Sequence, residues 1–143
     1  MLVVRAYLLF WAMAGMALAA PAPQPEAEAD AGTELARREI QGKGTVYEQL
    51  GITGSCGKRH SDGDAIVALG NDWMKGRYNA PYCNRRIKAS NKANGRSIIV
   101  PVMDTCMGCG SNDVDFSVAA WNRLTNNAPW GTFPLSWWGF YLF

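Results

Sequence analysis

The sequence predicts an all-β domain, a closed barrel or a sandwich, on three observations. Short alternating or β-branched runs are separated by turn signals at close intervals. Gly occurs 15 times and Pro 7 times in 143 residues, which favours turns over long helices. Only one stretch, near residues 118–124, carries a credible helical pattern. The length allows one globular domain plus its termini. At 48% hydrophobic and 18% charged, the composition excludes disorder and coiled coil. A formal charge of +2 is too weak a field to make nucleic acid the partner.

In chain order, residues 1–19 read as a signal peptide. Arg5 precedes the uncharged run from Ala6 to Ala20, which ends in the small-x-small pattern Ala17-Leu18-Ala19. The run is shorter than the ~20 residues a helix needs to cross a bilayer. Residues 20–38 form an acidic, Pro- and Ala-rich pro-segment or linker with too little apolar content to fold. It ends at Arg37-Arg38, a dibasic pair suited to proteolytic processing. The domain is then 39–143, with a net charge of +3 once Arg5, Arg37, Arg38, Glu26, Glu28, Asp30 and Glu34 fall outside it. These features predict a secreted protein.

Within the domain, Gly44-Thr45-Val46-Tyr47 opens a first strand and residues 65–69 form a short apolar run. Residues 86–89 alternate as a half-buried strand does. Asn94-Gly95 separates that strand from residues 97–103, predicting a hairpin with left-handed turn residues. Asp115 or Ser117 can cap a helix over 118–124, whose Val118, Trp121 and Leu124 share a face. Residues 136–142 read as a final strand in which Trp137 and Trp138 alternate, so at least one is core.

Four cysteines in an exported domain predict two disulfides, with three connectivities open. The spacing Cys106-Met107-Gly108-Cys109 matches a redox pair, but the βαβ context of that motif is absent. Cys56 and Cys83 lie too far apart to make a second zinc knuckle, so no metal and no cofactor are expected.

Taken together, Gly44-Thr45-x-Tyr47, Cys56-Gly57, Val67-Ala68, Cys83 with Arg85-Arg86-Ile87, Val100-x-Val102-x-Asp104-x-Cys106-x-x-Cys109 and Val114-Asp115-Phe116-Ser117 carry a resemblance. Over about residues 43–142 the chain resembles the double-psi β-barrel of secreted fungal expansin-like proteins. That barrel is shared with barwin-like defence proteins, rare lipoprotein A and family 45 glycoside hydrolases. The single-domain members, sometimes called loosenins, are the nearer comparison, since no second domain fits in this length. The resemblance implies a six-stranded double-psi β-barrel with one or two short helices, stabilised by disulfides. It implies pairing of Cys56 with Cys83 and of Cys106 with Cys109. It also implies an open polysaccharide-binding groove centred on Asp104 and Asp115.

Glycoside hydrolysis needs two carboxyl groups across the scissile bond. Asp115, flanked by Val114 and Phe116, is a candidate acid, and Asp104 is the other candidate. The family's hydrolases place the base just after the Tyr motif, where this chain has Glu48 and Gln49. Rare lipoprotein A enzymes use a histidine, and the single one here, His60, sits in a charged loop. Catalysis is therefore not expected. The alternative roles are structural, with Asp115 capping the helix and Asp104 holding a loop. Sugar rings stack on aromatic faces, so Tyr47, Trp73, Tyr78 or Trp121, where exposed, would suit a glycan groove, Tyr47 foremost.

The resulting expectation is a monomeric secreted protein that binds cell-wall polysaccharide (cellulose, chitin or glucan) through Tyr47, Asp104, Asp115, Trp73 and Trp121, and loosens it without hydrolysis. One alternative is a secreted protein-binding module, an effector or protease inhibitor, contacting a host or secreted protein through loops 57–64 and 74–82. The other is a lytic glycosidase or transglycosylase using Asp115.

Overall fold

The computed structural model describes residues 38–141, so the signal-peptide expectation and the pro-segment expectation up to Arg37 lie outside the described residues. Six strands, β1 (Ile40–Tyr47), β2 (Val67–Gly70), β3 (Arg86–Asn91), β4 (Ser97–Cys106), β5 (Val114–Ser117) and β6 (Phe133–Tyr141), close into a barrel in the order β1-β5-β2-β4-β3-β6. Two helices interrupt them, α1 (Asn71–Met74) and α2 (Val118–Thr125). This is the six-stranded barrel that the resemblance implies.

Two parallel pairs, β1 with β5 and β2 with β4, are inserted among antiparallel neighbours. Parallel pairing needs a crossover, and this is why β2 partners a strand that begins far along the chain. Inward positions fill the barrel: Val67, Leu69, Ile87, Val100, Val102 and Phe116 have no accessible surface. Pro101 is tolerated inside β4 for a local reason. The Val102 N–H donates to Arg85 O at 2.8 Å, so the amide proline lacks would face β2, whose ladder starts only at Val67–Val102.

The β3–β4 hairpin forms as expected, but over a longer loop. Only Gly95 takes the left-handed region (φ 76°); its N–H donates to Asn91 O at 2.8 Å, and the Asn91 and Asn94 side chains accept from Ala93 N and Arg96 N. Helix α2 is capped by Ser117, whose Oγ accepts from Ala120 N at 3.3 Å, and it stops at Asn126 in the left-handed conformation. Asp115 lies inside β5 and does not cap it. Trp137 is the core member of its pair, whereas Trp138 is half-buried with Lys88 Nζ 5.0 Å over its ring.

Cys56 pairs with Cys83 and Cys106 with Cys109, leaving no free cysteine among the described residues. Such bonds form and persist in oxidising compartments. Among the described residues no helix is long and apolar enough to cross a membrane.

Candidate functional site

Strand period two places Thr45 and Tyr47 on the same face of β1. Across the parallel ladder Thr45 registers with Asp115 and Tyr47 with Ser117. Ala68 of β2 registers with Asp115 on one side and with Asp104 on the other. One small residue therefore separates the two aspartates, whose backbones lie two strand spacings apart, roughly 9–10 Å. The barrel closure brings together residues that are remote in sequence.

The two carboxylates are held differently. Asp104 Oδ1 accepts from the N–H groups of Ser55 (2.9 Å) and Thr105 (2.8 Å), and its Oδ2 faces the Tyr47 hydroxyl across a long 3.5 Å contact. Asp104 thus has the loop-holding role weighed from sequence, with one oxygen left toward the groove. A Cβ on Gly54 would lie 2.8 Å from Met103 O, so only glycine lets this loop approach Asp104. Asp115 Oδ1 accepts from Thr45 Oγ1 at 2.7 Å.

Burial raises the Asp115 pKa, the nearby Asp104 charge adds to the rise, and the Thr45 hydrogen bond opposes it. Burial also raises the Tyr47 hydroxyl, against a Gln49 hydrogen bond and together with the charges of Asp104 and Asp115. Tyr47 is therefore a neutral hydrogen-bond donor throughout the physiological range. Beside Asp104 a shallow recess of about 320 Å³ is lined by Ser55, Gly76, Arg77, Tyr78, Thr105 and Met107, with Tyr78 68% exposed.

Two expected stacking residues are elsewhere. Trp121 is 2% exposed in the core, its indole N–H donating to Ala128 O, and it has no ring face for a ligand. Its place on the inner face of α2, the face it shares with Leu124, is the physical reason. Trp73 is half-buried among Tyr82, Trp137 and Phe140, at centroid distances of 5.4–5.6 Å. Tyr78 takes their place at the recess. Glu48 stands exposed at the end of β1. Thr45, Ser55 and Arg77 were not singled out from sequence. The two-residue spacing of Thr45 and Tyr47 within Gly-Thr-x-Tyr was a usable signal for the first, whereas Ser55 reaches Asp104 only through the fold.

His60 lies in a second recess of about 540 Å³ with Gln49, Leu50, Gly51, Arg59, Ser61, Asp62 and Asp64. Its Nδ1 is 3.5 Å from Asp64 Oδ2. The adjoining turn exposes Leu50 (71%) and Ile52 (64%), and Leu50 holds a positive φ of 53° that is unusual for a branched side chain.

The raised Asp115 pKa has a measurable consequence for stability. A carboxyl with a higher pKa folded than unfolded opposes folding only when ionised, so the penalty is absent in acid, grows as pH rises through the unfolded pKa, and is complete above the folded one. Asp115→Asn keeps an acceptor for Thr45 and removes the charge. The variant's urea midpoint relative to wild type should therefore increase between pH 3 and pH 7; an unchanged difference across that range contradicts the assignment.

No family model matches the chain. Ripening-related protein 6 of Oryza sativa subsp. japonica is 34% identical over 85 residues, which are 57% of this chain and 49% of that protein. The papain inhibitor of Streptomyces mobaraensis is 33% identical over 90 residues, 61% of this chain and 62% of that protein. The chain spans about half the length of ripening-related proteins 6 and 7. Among solved structures, the Streptomyces papain inhibitor superposes with a TM-score of 0.62 at 31% identity, covering 72% of this chain and 94% of that one. Apo Clavibacter michiganensis expansin gives 0.57 at 26% identity, over 70% of this chain and 49% of that one. A substituted form of that expansin, in complex with cellohexaose, gives 0.56 at 23% identity over the same shares.

Proposed function

For a chain that belongs to the double-psi β-barrel family of the Streptomyces papain inhibitor, we propose that the groove over Tyr47, Asp104 and Asp115 binds a strand of cell-wall polysaccharide and loosens its packing without cleaving it. The observation that carries this reading is the juxtaposition of two carboxylates across Ala68 with a neutral tyrosine donor beside them and an open recess running on to the exposed Tyr78. Carboxylates accept from sugar hydroxyls, and aromatic faces stack on sugar C–H faces. The cellohexaose bound by the Clavibacter expansin supports the same ligand class.

Non-covalent loosening follows from differential binding. A groove that holds one glycan strand better than the packed lattice does lowers the cost of separating strands by that difference. Hydrolysis is disfavoured by the surroundings of the acids. Asp104 already accepts two backbone N–H groups through one oxygen, and Glu48, at the place of the family's base, is exposed at the end of β1.

A second reading is favoured by the papain inhibitor likeness, which covers 94% of that chain, and by the exposed Leu50–Ile52 turn. In it the barrel docks on a protein through its loops. One experiment separates the two. Purified protein is pulled down on cellulose, chitin and β-glucan, with release of reducing ends and inhibition of papain measured alongside. The expected result is binding without reducing ends, weakened about tenfold in Asp115→Asn and Tyr47→Ala. Papain inhibition with no polymer binding would replace the first reading by the second. Soluble sugar released by wild type and lost in Asp115→Asn would make the protein an enzyme.

A further inference from the structure

Cys106 ends β4, and its bond to Cys109 closes a turn only three residues on. In the chain-entropy account such a short closure constrains the unfolded chain far less than the 27-residue closure of Cys56–Cys83. The two bonds also differ in access. Cys56 is 4% exposed, and its partner Cys83, itself half-buried, packs against the core. Cys106 and Cys109 are only half-buried; between them Met107 is 72% exposed, and the space beside the Gly108 Cα is open. Most telling is the neighbour of the bond: an Asp115 carboxylate oxygen and the two sulfurs all lie within 4.8 Å of one another.

We propose that Cys106–Cys109 is a thiol–disulfide exchange site, reduced by a dithiol, with the Asp115 carboxyl as its proton relay. A first thiol of the dithiol passes its proton to the Asp115 carboxylate as its sulfur attacks Cys109 Sγ. The Cys106–Cys109 bond breaks, a mixed disulfide forms, and the departing Cys106 thiolate takes the proton from Asp115. The second thiol of the dithiol passes its proton to Asp115 and attacks its partner sulfur in the mixed disulfide. The dithiol leaves as a disulfide, and the released Cys109 thiolate takes that proton. Two electrons and two protons move from the dithiol to the protein, and Asp115 ends as it began. The groups facing Asp115 are Thr45 and Tyr47 from β1 and Asp104 from β4, so a relay there is tuned by the groove. Opening the turn in turn frees Met107, which lines the recess beside Asp104.

The test uses the oxidised protein and dithiothreitol, with timed alkylation and peptide mapping to follow each bond separately. In wild type, Cys106–Cys109 should be reduced at least about tenfold faster than Cys56–Cys83, which serves as the internal reference. At a fixed concentration of the undissociated dithiothreitol thiol, its rate should rise with pH to a plateau as Asp115 ionises. Asp115→Asn should lack that step and react roughly tenfold more slowly at neutral pH. Thr45→Val removes a hydrogen bond that favours the carboxylate, so the step should move to higher pH. Equal rates for the two bonds in wild type overturn the proposal without recourse to any variant. So does a pH step that Asp115→Asn retains or Thr45→Val leaves in place.

Discussion

Trp137→Ala is expected to destabilise the domain by about 3–5 kcal/mol, the range for losing a large buried aromatic. Trp137 has no accessible surface and sits in mid-β6, registered with Ile40 of β1 and Ala89 of β3. Its ring meets those of Trp73 and Phe140 at centroid distances of 5.4 and 6.0 Å, and its indole N–H donates to Asn112 O at 2.8 Å. The truncation therefore opens a cavity at a junction of three strands and strips an aromatic cluster of its base. Trp137→Phe separates the two contributions. It retains most of the apolar ring and leaves the Asn112 carbonyl unpaired, for a smaller loss of roughly 1–2 kcal/mol. Urea unfolding of the three proteins measures both. A Trp137→Ala loss below that of Trp137→Phe would show that the ring is not what the core depends on. Domains of this size have only about 5–15 kcal/mol of stability in total, so the larger substitution consumes a substantial share.

The parts of this fold that were legible in sequence are those whose signal is local. Alternation over 86–89 and the β-branched run at 97–103 with Asn94-Gly95 between them specify a hairpin, and β3 and β4 form one. The apolar spacing of α2 likewise placed Trp121 and Leu124 on one face. That same spacing argues for Trp121 as core rather than as a sugar platform, and burial follows it. Strand β5 was hidden for the opposite reason. Its four residues, Val114–Ser117, carry a charged aspartate in mid-strand and too short a pattern to read; they are extended because β1 and β2 pair with them on both sides. Helix α1 has four residues and no side-chain cap, and it rests on its neighbours rather than on propensity.

The candidate site divides in the same way. Asp104, Asp115 and Tyr47 stand inside short motifs, and the barrel collects them around Ala68. What the chain could not display locally was the state of each group. The Asp115 pKa rises because the closed barrel desolvates it and sets Asp104 nearby, and Asp104 is oriented by Ser55, a residue 49 positions away. Both effects are properties of the assembled barrel and not of either motif.

Removing the Cys56–Cys83 bond by Cys56→Ala with Cys83→Ala should cost about 3–4 kcal/mol, from the loop-closure entropy of its 27-residue separation. The loss should also reach the groove. Cys56 N–H donates to Met103 O at 3.3 Å, and the preceding Ser55 N–H donates to Asp104 Oδ1 at 2.9 Å, so the bond pins the loop that orients the carboxylate. Alanine fits the buried Cys56 site without adding a polar atom, and the sequence between the cysteines is untouched. The energetic change therefore arises mainly in the unfolded chain, whereas the change in the groove arises in the folded one. The first is read from the denaturant midpoint. The second is read from ligand affinity under conditions where the variant is fully folded. The same substitution at Cys106 and Cys109 should cost less, since that bond closes a separation of only three residues. If the two double variants lost equal stability, closure of the long loop would not be the source of the stabilisation, and a larger loss at Cys106 and Cys109 would place the structural bond beside Asp115 instead.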